Sequence, residues 1–110
     1  MSGTFTPFPV ISGQVATVAG AIFNSPLSGV TYLKQVLLYN EGPTTVAIVV
    51  YLVPNGGTAV PFRNITLEPG ESYKVLEHGE SFTLGGGDGF AAVADTANVI
   101  DYLVTGVIET

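Results

Sequence analysis

The sequence predicts an all-β protein: a single antiparallel β-sandwich, of jelly-roll or immunoglobulin-like topology, with about eight short strands. Three observations lead there. Short segments rich in Val, Ile, Thr, Tyr and Phe recur along the chain, parted by Gly, Pro, Asn and Asp turns. No stretch carries a run of apolar residues at helical spacing. Residues 44–53 (TTVAIVVYLV) are apolar at every position after the two threonines.

That last segment carries the most information. Side chains alternate sides along a strand. Val46, Ile48, Val50 and Leu52 therefore point one way, and Ala47, Val49, Tyr51 and Val53 the other. An antiparallel sheet packed on one core normally shows polar residues on its second face. Here the second face is apolar too, so a partner is expected to cover it.

The elements follow in order. Residues 1–13 hold Pro7 and Pro9 with Phe5 and Phe8, which predicts an extended N-terminal arm docking its phenylalanines on a neighbouring subunit. The sandwich domain then spans 14–110. Residues 14–22 form a candidate strand weakened by alanines, ended by Asn24-Ser25-Pro26. Residues 31–39 form the next, and the turn Asn40-Glu41-Gly42-Pro43 predicts a hairpin between it and residues 44–53. Asn55-Gly56 closes that strand. Residues 60–67 read as an edge strand, with Pro61 at its start. Glu68-Pro69-Gly70 fits a tight turn. Residues 71–76 and 81–84 are short strands about the charged turn Glu77-His78-Gly79-Glu80. A glycine loop, Gly85-Gly86-Gly87-Asp88-Gly89, leads to strands at 90–94 and 99–108. In the last strand Ile100, Tyr102, Val104 and Ile108 share a core face, with Asp101 and Thr105 opposite and Val99, Leu103 and Val107 between them, so the second side is mixed.

Composition narrows the function. The chain has 110 residues, the size of one domain. It has no cysteine, so it has no disulfide, zinc-thiolate site or thiol nucleophile. Lys34, Arg63 and Lys74 are its only cations against nine acidic residues, a net charge of −6. Nucleic acid and anionic membranes are poor partners for such a surface. Charged residues make up 11% of the chain, well under the usual quarter, which leaves a bare surface weakly protected against association. Residues 1–10 lack the basic start and apolar core of a secretory signal.

No constellation commends catalysis. The glycine loop has neither the Lys nor the helix of a phosphate loop, and only one carboxylate, Asp88, for calcium. His78 is the only histidine, and no serine lies in a nucleophile motif. Glu68, Glu71, Glu77 and Glu80 sit on turns, where carboxylates are usually solvated. The five tyrosines all fall within strands, which suits cores and interfaces better than sugar platforms. Neither a catalytic residue, a metal ligand nor a cofactor is expected. The candidate interface is Phe5, Phe8, Ala47, Val49, Tyr51 and Val53.

Several phrases stand in a suggestive order: Leu38-Tyr39-Asn40, Val50-Tyr51-Leu52-Val53-Pro54 with Gly56-Gly57, Leu67-Glu68-Pro69-Gly70-Glu71-Ser72-Tyr73, Gly79-Glu80-Ser81, and Val104-Thr105-Gly106-Val107-Ile108-Glu109. Together they resemble small virion proteins of tailed bacteriophages. The likeness runs over residues 30–110 and leaves out 1–13. It implies a β-sandwich that decorates or cements the capsid, binding the major capsid shell; a low-charge sandwich that must cover its own second face fits a symmetric homo-oligomer with sister subunits, such as a trimer. It implies a virion location after assembly in the host cytoplasm. A neck, tail or fibre component is the first alternative, and a carbohydrate-binding module for a host surface the second.

Overall fold

The computed structural model describes residues 4–8, 10–18, 21–76 and 82–110. They form ten strands in two antiparallel sheets, and none of them is helical. The strands are β1 (Phe5–Pro7), β2 (Ile11–Gln14), β3 (Ala21–Asn24), β4 (Val30–Asn40), β5 (Val46–Val53), β6 (Val60–Leu67), β7 (Ser72–Lys74), β8 (Phe82–Leu84), β9 (Gly89–Ala94) and β10 (Ile100–Glu109).

One sheet runs β1-β10-β4-β7, with β2 beside β1 on the same edge of β10, and β8 beside β7 on the same edge of β4. The other runs β3-β9-β5-β6. Each sheet is thus four ranks wide. Counting β1/β2 and β7/β8 as interrupted single strands, successive strands alternate between sheets except at the β5–β6 pair, in the order of a jelly roll. That selects one of the two sandwich topologies the sequence allows.

The core lies between the sheets. Leu33, Val36, Leu38, Ile100 and Val104 from one face Val46, Ile48, Val50, Leu67 and Phe90 from the other, all buried. Phe62 and Phe82 meet edge to face at 5.0 Å between ring centroids, joining β6 to β8 across the layers. Near the same open edge Arg63 Nη1 donates to the Tyr73 hydroxyl at 2.6 Å, tying β6 to β7. The accessible surface is 5978 Å². A compact monomer of this mass exposes about 5,800 Å². The apolar surface described below is therefore not a symptom of loose packing.

The expected hairpin between residues 31–39 and 44–53 does not form. β4 pairs with β10, β7 and β8, and β5 pairs with β6 and β9, so the two lie in different sheets. The Asn40–Pro43 turn is a corner between layers. Asn40, fully buried, builds it: Nδ2 donates to the Thr44 carbonyl at 2.8 Å and the Leu67 carbonyl at 3.0 Å, and Oδ1 accepts the Gly42 N–H at 2.9 Å. The hairpin of this region is β5–β6, about Pro54–Gly57. Residues 14–22 are not one strand either. β2 ends at Gln14; Val15 N–H bonds Ile100 in one sheet, and the next carbonyl, Ala16, accepts from Ala94 in the other. The chain changes layer within two residues.

The stretch expected as an arm is extended, but its described residues pair with β10. Phe5, Thr6 and Pro7 lie opposite Glu109, Ile108 and Val107, and Ile11–Gln14 lie opposite Val104–Asp101. β4 carries a bulge at Lys34, where Thr105 pairs with Gln35 and Gly106 with Leu33. It lets Thr31 and Leu33 face the core in register with Val36, Leu38 and Asn40, while Lys34 and Gln35 both stay exposed. Gly106 sits where a Cβ would come within 2.4 Å of the Tyr32 carbonyl oxygen, so only glycine fits. The Pro69-Gly70 turn closes with Glu71 N–H on the Glu68 carbonyl and Gly70 at φ +79°, as the sequence predicts.

Candidate interaction surface

β5 presents its two faces as the alternation requires. Val46, Ile48 and Val50 are buried, with Leu52 half-buried against them, while Val49, Tyr51 and Val53 are half-exposed and Ala47 is exposed on the far side. Register builds that outer face: Val49 lies between Asn64 and Val93, and Tyr51 between Pro61 and Ala91. The result is an apolar patch edged by Asn64 and Thr66. Among the described residues, no further layer of the chain lies over it.

The two arm phenylalanines go separate ways. Phe8 stacks on Phe23 of the same chain at 5.1 Å and packs against the core, so its ring serves the chain's own fold. Phe5 is 60% exposed, with its ring 6.3 Å from Tyr32. Tyr32 Oη donates to Glu109 at 2.7 Å, and this bond raises the tyrosine pKa because it favours the protonated phenol.

Sequence reasoning missed a second apolar face, the outer side of the six-stranded sheet. Leu37 and Leu103 pair across β4 and β10, both half-buried and facing outward. With Tyr39, 40% exposed, they floor a depression of about 420 Å³ bordered by Ser12, Gln14 and Asp101. The signal is present in the sequence: Leu37 beside Leu38, and Leu103 beside Val104, place apolar groups on both sides of their strands.

An acidic cluster stands at one end of this face. Gln14 Nε2 donates to Glu41 Oε1 at 2.9 Å, to Asp101 Oδ1 at 3.2 Å and to the Asn98 carbonyl at 3.2 Å. Hydrogen bonding to Asp101, then the Asp101 charge and slight desolvation, raise the Glu41 pKa above 4.5, against the opposing Gln14 bond. The folded chain thus binds this proton more tightly than the unfolded chain does. Stability is therefore favoured below pH 4.5 and declines as pH rises through the higher folded value. Glu41→Gln should abolish that decline and raise the melting temperature slightly at pH 7; melting curves between pH 3 and 8 check it.

The other candidates are structural. Asp88 accepts from Asn55 N–H at 2.9 Å and Gly85 N–H at 3.0 Å, so its carboxylate fastens the glycine loop to the β5–β6 turn. Glu71 Oε1 accepts from Glu68 N–H at 2.9 Å within its own turn. His78, Glu77 and Glu80 lie outside the described residues. Among the described residues, no three His, Cys, Asp or Glu side chains are grouped to hold a metal ion.

Comparison with solved structures confirms the architecture. The chain is similar over its full length to 91% of a subunit from Bacillus endospore appendages, described as disulfide-linked pili, with 23% identity and a TM-score of 0.61. At that identity the likeness establishes a shared fold. Weaker likenesses are to a pentameric capsid protein from metagenomic phage sequences (16% identity, 92% of this chain and 60% of that one, TM-score 0.42) and to infectious bursal disease virus (10% identity, 97% and 32%, TM-score 0.34). No protein-family profile and no curated protein matches the sequence.

Proposed function

We propose that the chain is a virion structural protein that decorates the capsid, binding the major capsid shell and stabilising it without chemistry. The observation that carries this reading is the apolar outer face of β5, with Val49 and Tyr51 half-exposed in a well-packed sandwich. Burying about 400 Å² of apolar surface there is worth roughly 10 kcal/mol before the costs of association. A contact of that size holds one copy modestly. Joined copies engaging the shell at several points hold far more firmly.

Full-length likeness to a pilus subunit supports a second reading, a fibre or tail component. That neighbour's pili are disulfide-linked, whereas this chain has no cysteine. A fibre of this protein would have to hold by packing and hydrogen bonds alone.

Val49→Lys tests the first reading. A lysine at a half-exposed outward site keeps its head in water, so fold stability should change by under about 1 kcal/mol. Occupancy on particles should fall at least about tenfold, since a charge is placed in the contact. Quantifying the protein on purified particles, beside melting curves of the free chain, reads both. Unchanged occupancy would contradict the assignment.

A further inference from the structure

The geometry points to an isologous contact between two copies of this chain through the outer face of the six-stranded sheet, centred on Leu37 and Leu103. This deepens the structural reading above, on which it rests, by naming the surface that meets a sister subunit. Three observations argue for a second copy as the occupant.

The first is the apolar centre. Leu37 and Leu103 form a paired row across the middle of the sheet, with Tyr39 adjacent, and with exposed Lys74 of β7 and Ser12 of β2 in register with them at the two ends of the row. The second is the charge on either side of it. Two residues along β10 one way lies Asp101, with Glu41 bridged to it by Gln14; two residues the other way lies Thr105, whose partner Gln35 adjoins Lys34 in the bulge. Each displacement is about 7 Å. Lys34 is exposed on this face, beside Phe5, Tyr32 and Val107, with Nζ 5.9 Å from the Tyr32 ring centroid. Among the described residues, the groups acting on Glu41 at the acidic end are Asp101 and Gln14.

A two-fold axis lying in the interface and crossing the strands at the Leu37–Leu103 row inverts the strand direction. It sets leucines on leucines, leaves the exposed Lys74 of each copy at the rim beside its symmetry mate, and brings Lys34 of each copy over Tyr39, Asp101 and Glu41 of the other. Two equivalent sets of charge and cation–π contacts result, as two-fold symmetry requires. A trimer would not bring these opposite charges together.

The third is size. A face four ranks wide and eleven residues long covers about 600 Å², or ~1,200 Å² for both copies, the lower end of specific interfaces.

Sedimentation equilibrium of the full chain tests this, with circular dichroism confirming that each variant is folded. Wild type should be a dimer whose affinity falls with salt. Lys34→Glu, at an exposed site, should weaken it at least about tenfold, and adding Asp101→Lys should restore most of the loss. Leu103→Arg should leave a monomer, while Val49→Lys should leave the dimer intact. A monomeric wild type at about 100 μM, or a charge swap that restores nothing, would overturn the inference. Should the dimer be absent while Val49→Lys still strips the protein from particles, the inference falls and the decoration reading stands. A dimer that forms as described, with unchanged particle occupancy of Val49→Lys, overturns the decoration reading and leaves the two-copy contact in place.

Discussion

Val50→Lys should leave no folded protein, although the neighbouring Val49→Lys chain should fold normally. Val50 is 0% exposed, at the centre of β5 and of the core. It is in register with Ala92 on one side and Arg63 on the other, so a lysine there would also face an existing cation across the strand pair. An unpaired ammonium at such a site costs several kcal/mol, and the loss of valine packing adds about 1–2 kcal/mol. A domain of this size has about 5–15 kcal/mol in total. Circular dichroism should show a disordered or aggregated chain at 25 °C. A soluble Val50→Lys protein with a cooperative melt would mean that the two faces of β5 are assigned the wrong way round.

Asn40→Leu should cost about 3–5 kcal/mol, which is large for one corner of the sandwich. The leucine side chain is close in volume, so the loss is one of hydrogen bonds. It strands two carbonyls, of Thr44 and Leu67, and the Gly42 N–H. Backbone bonds of the same residue also tie in Gly70 and Glu71, so the corner of β4 to β5 and the turn after β6 share one support. Asn40→Asp should be worse. It keeps the acceptor for Gly42 but turns a carboxylate oxygen toward two carbonyl oxygens in a buried site. Urea unfolding should show a lower midpoint with an unchanged slope for Leu, and a further drop for Asp. Unfolding free energies within about 1 kcal/mol of wild type would show that the corner is held by something other than Asn40.

What can be read from sequence is what alternation alone decides. The two faces of β5, the edge position of β6 with Pro61, and the Pro69-Gly70 turn are all legible because each depends on a few adjacent residues. The layer assignment is not. Asn-Glu-Gly-Pro marks a reversal of the chain, but whether the strands on either side pair or part is settled far away, by β10 taking the edge of β4. The bulge at Lys34 hides the inward set of β4, because Thr31 and Leu33 fall out of phase with Val36 and Leu38 until one residue is skipped. The candidate surface is half legible. Ala47, Val49, Tyr51 and Val53 follow from an unbroken apolar run. Leu37 and Leu103 do not stand out, because polar neighbours, Lys34, Gln35, Asp101 and Thr105, make their faces look solvated. Phe8 looks like a docking group in sequence because its partner, Phe23, lies fifteen residues on and in the other sheet.

The claim beneath all of this is that a sound, compact sandwich shows apolar groups on the outside of both sheets because neighbours cover them in an assembly. A cryo-EM map of the particle carrying this protein tests it most directly. Shell density packed on Val49 and Tyr51, and a second copy across Leu37 and Leu103, are the expected result. A map in which both faces look onto solvent, with the subunit held by some other edge, would contradict it.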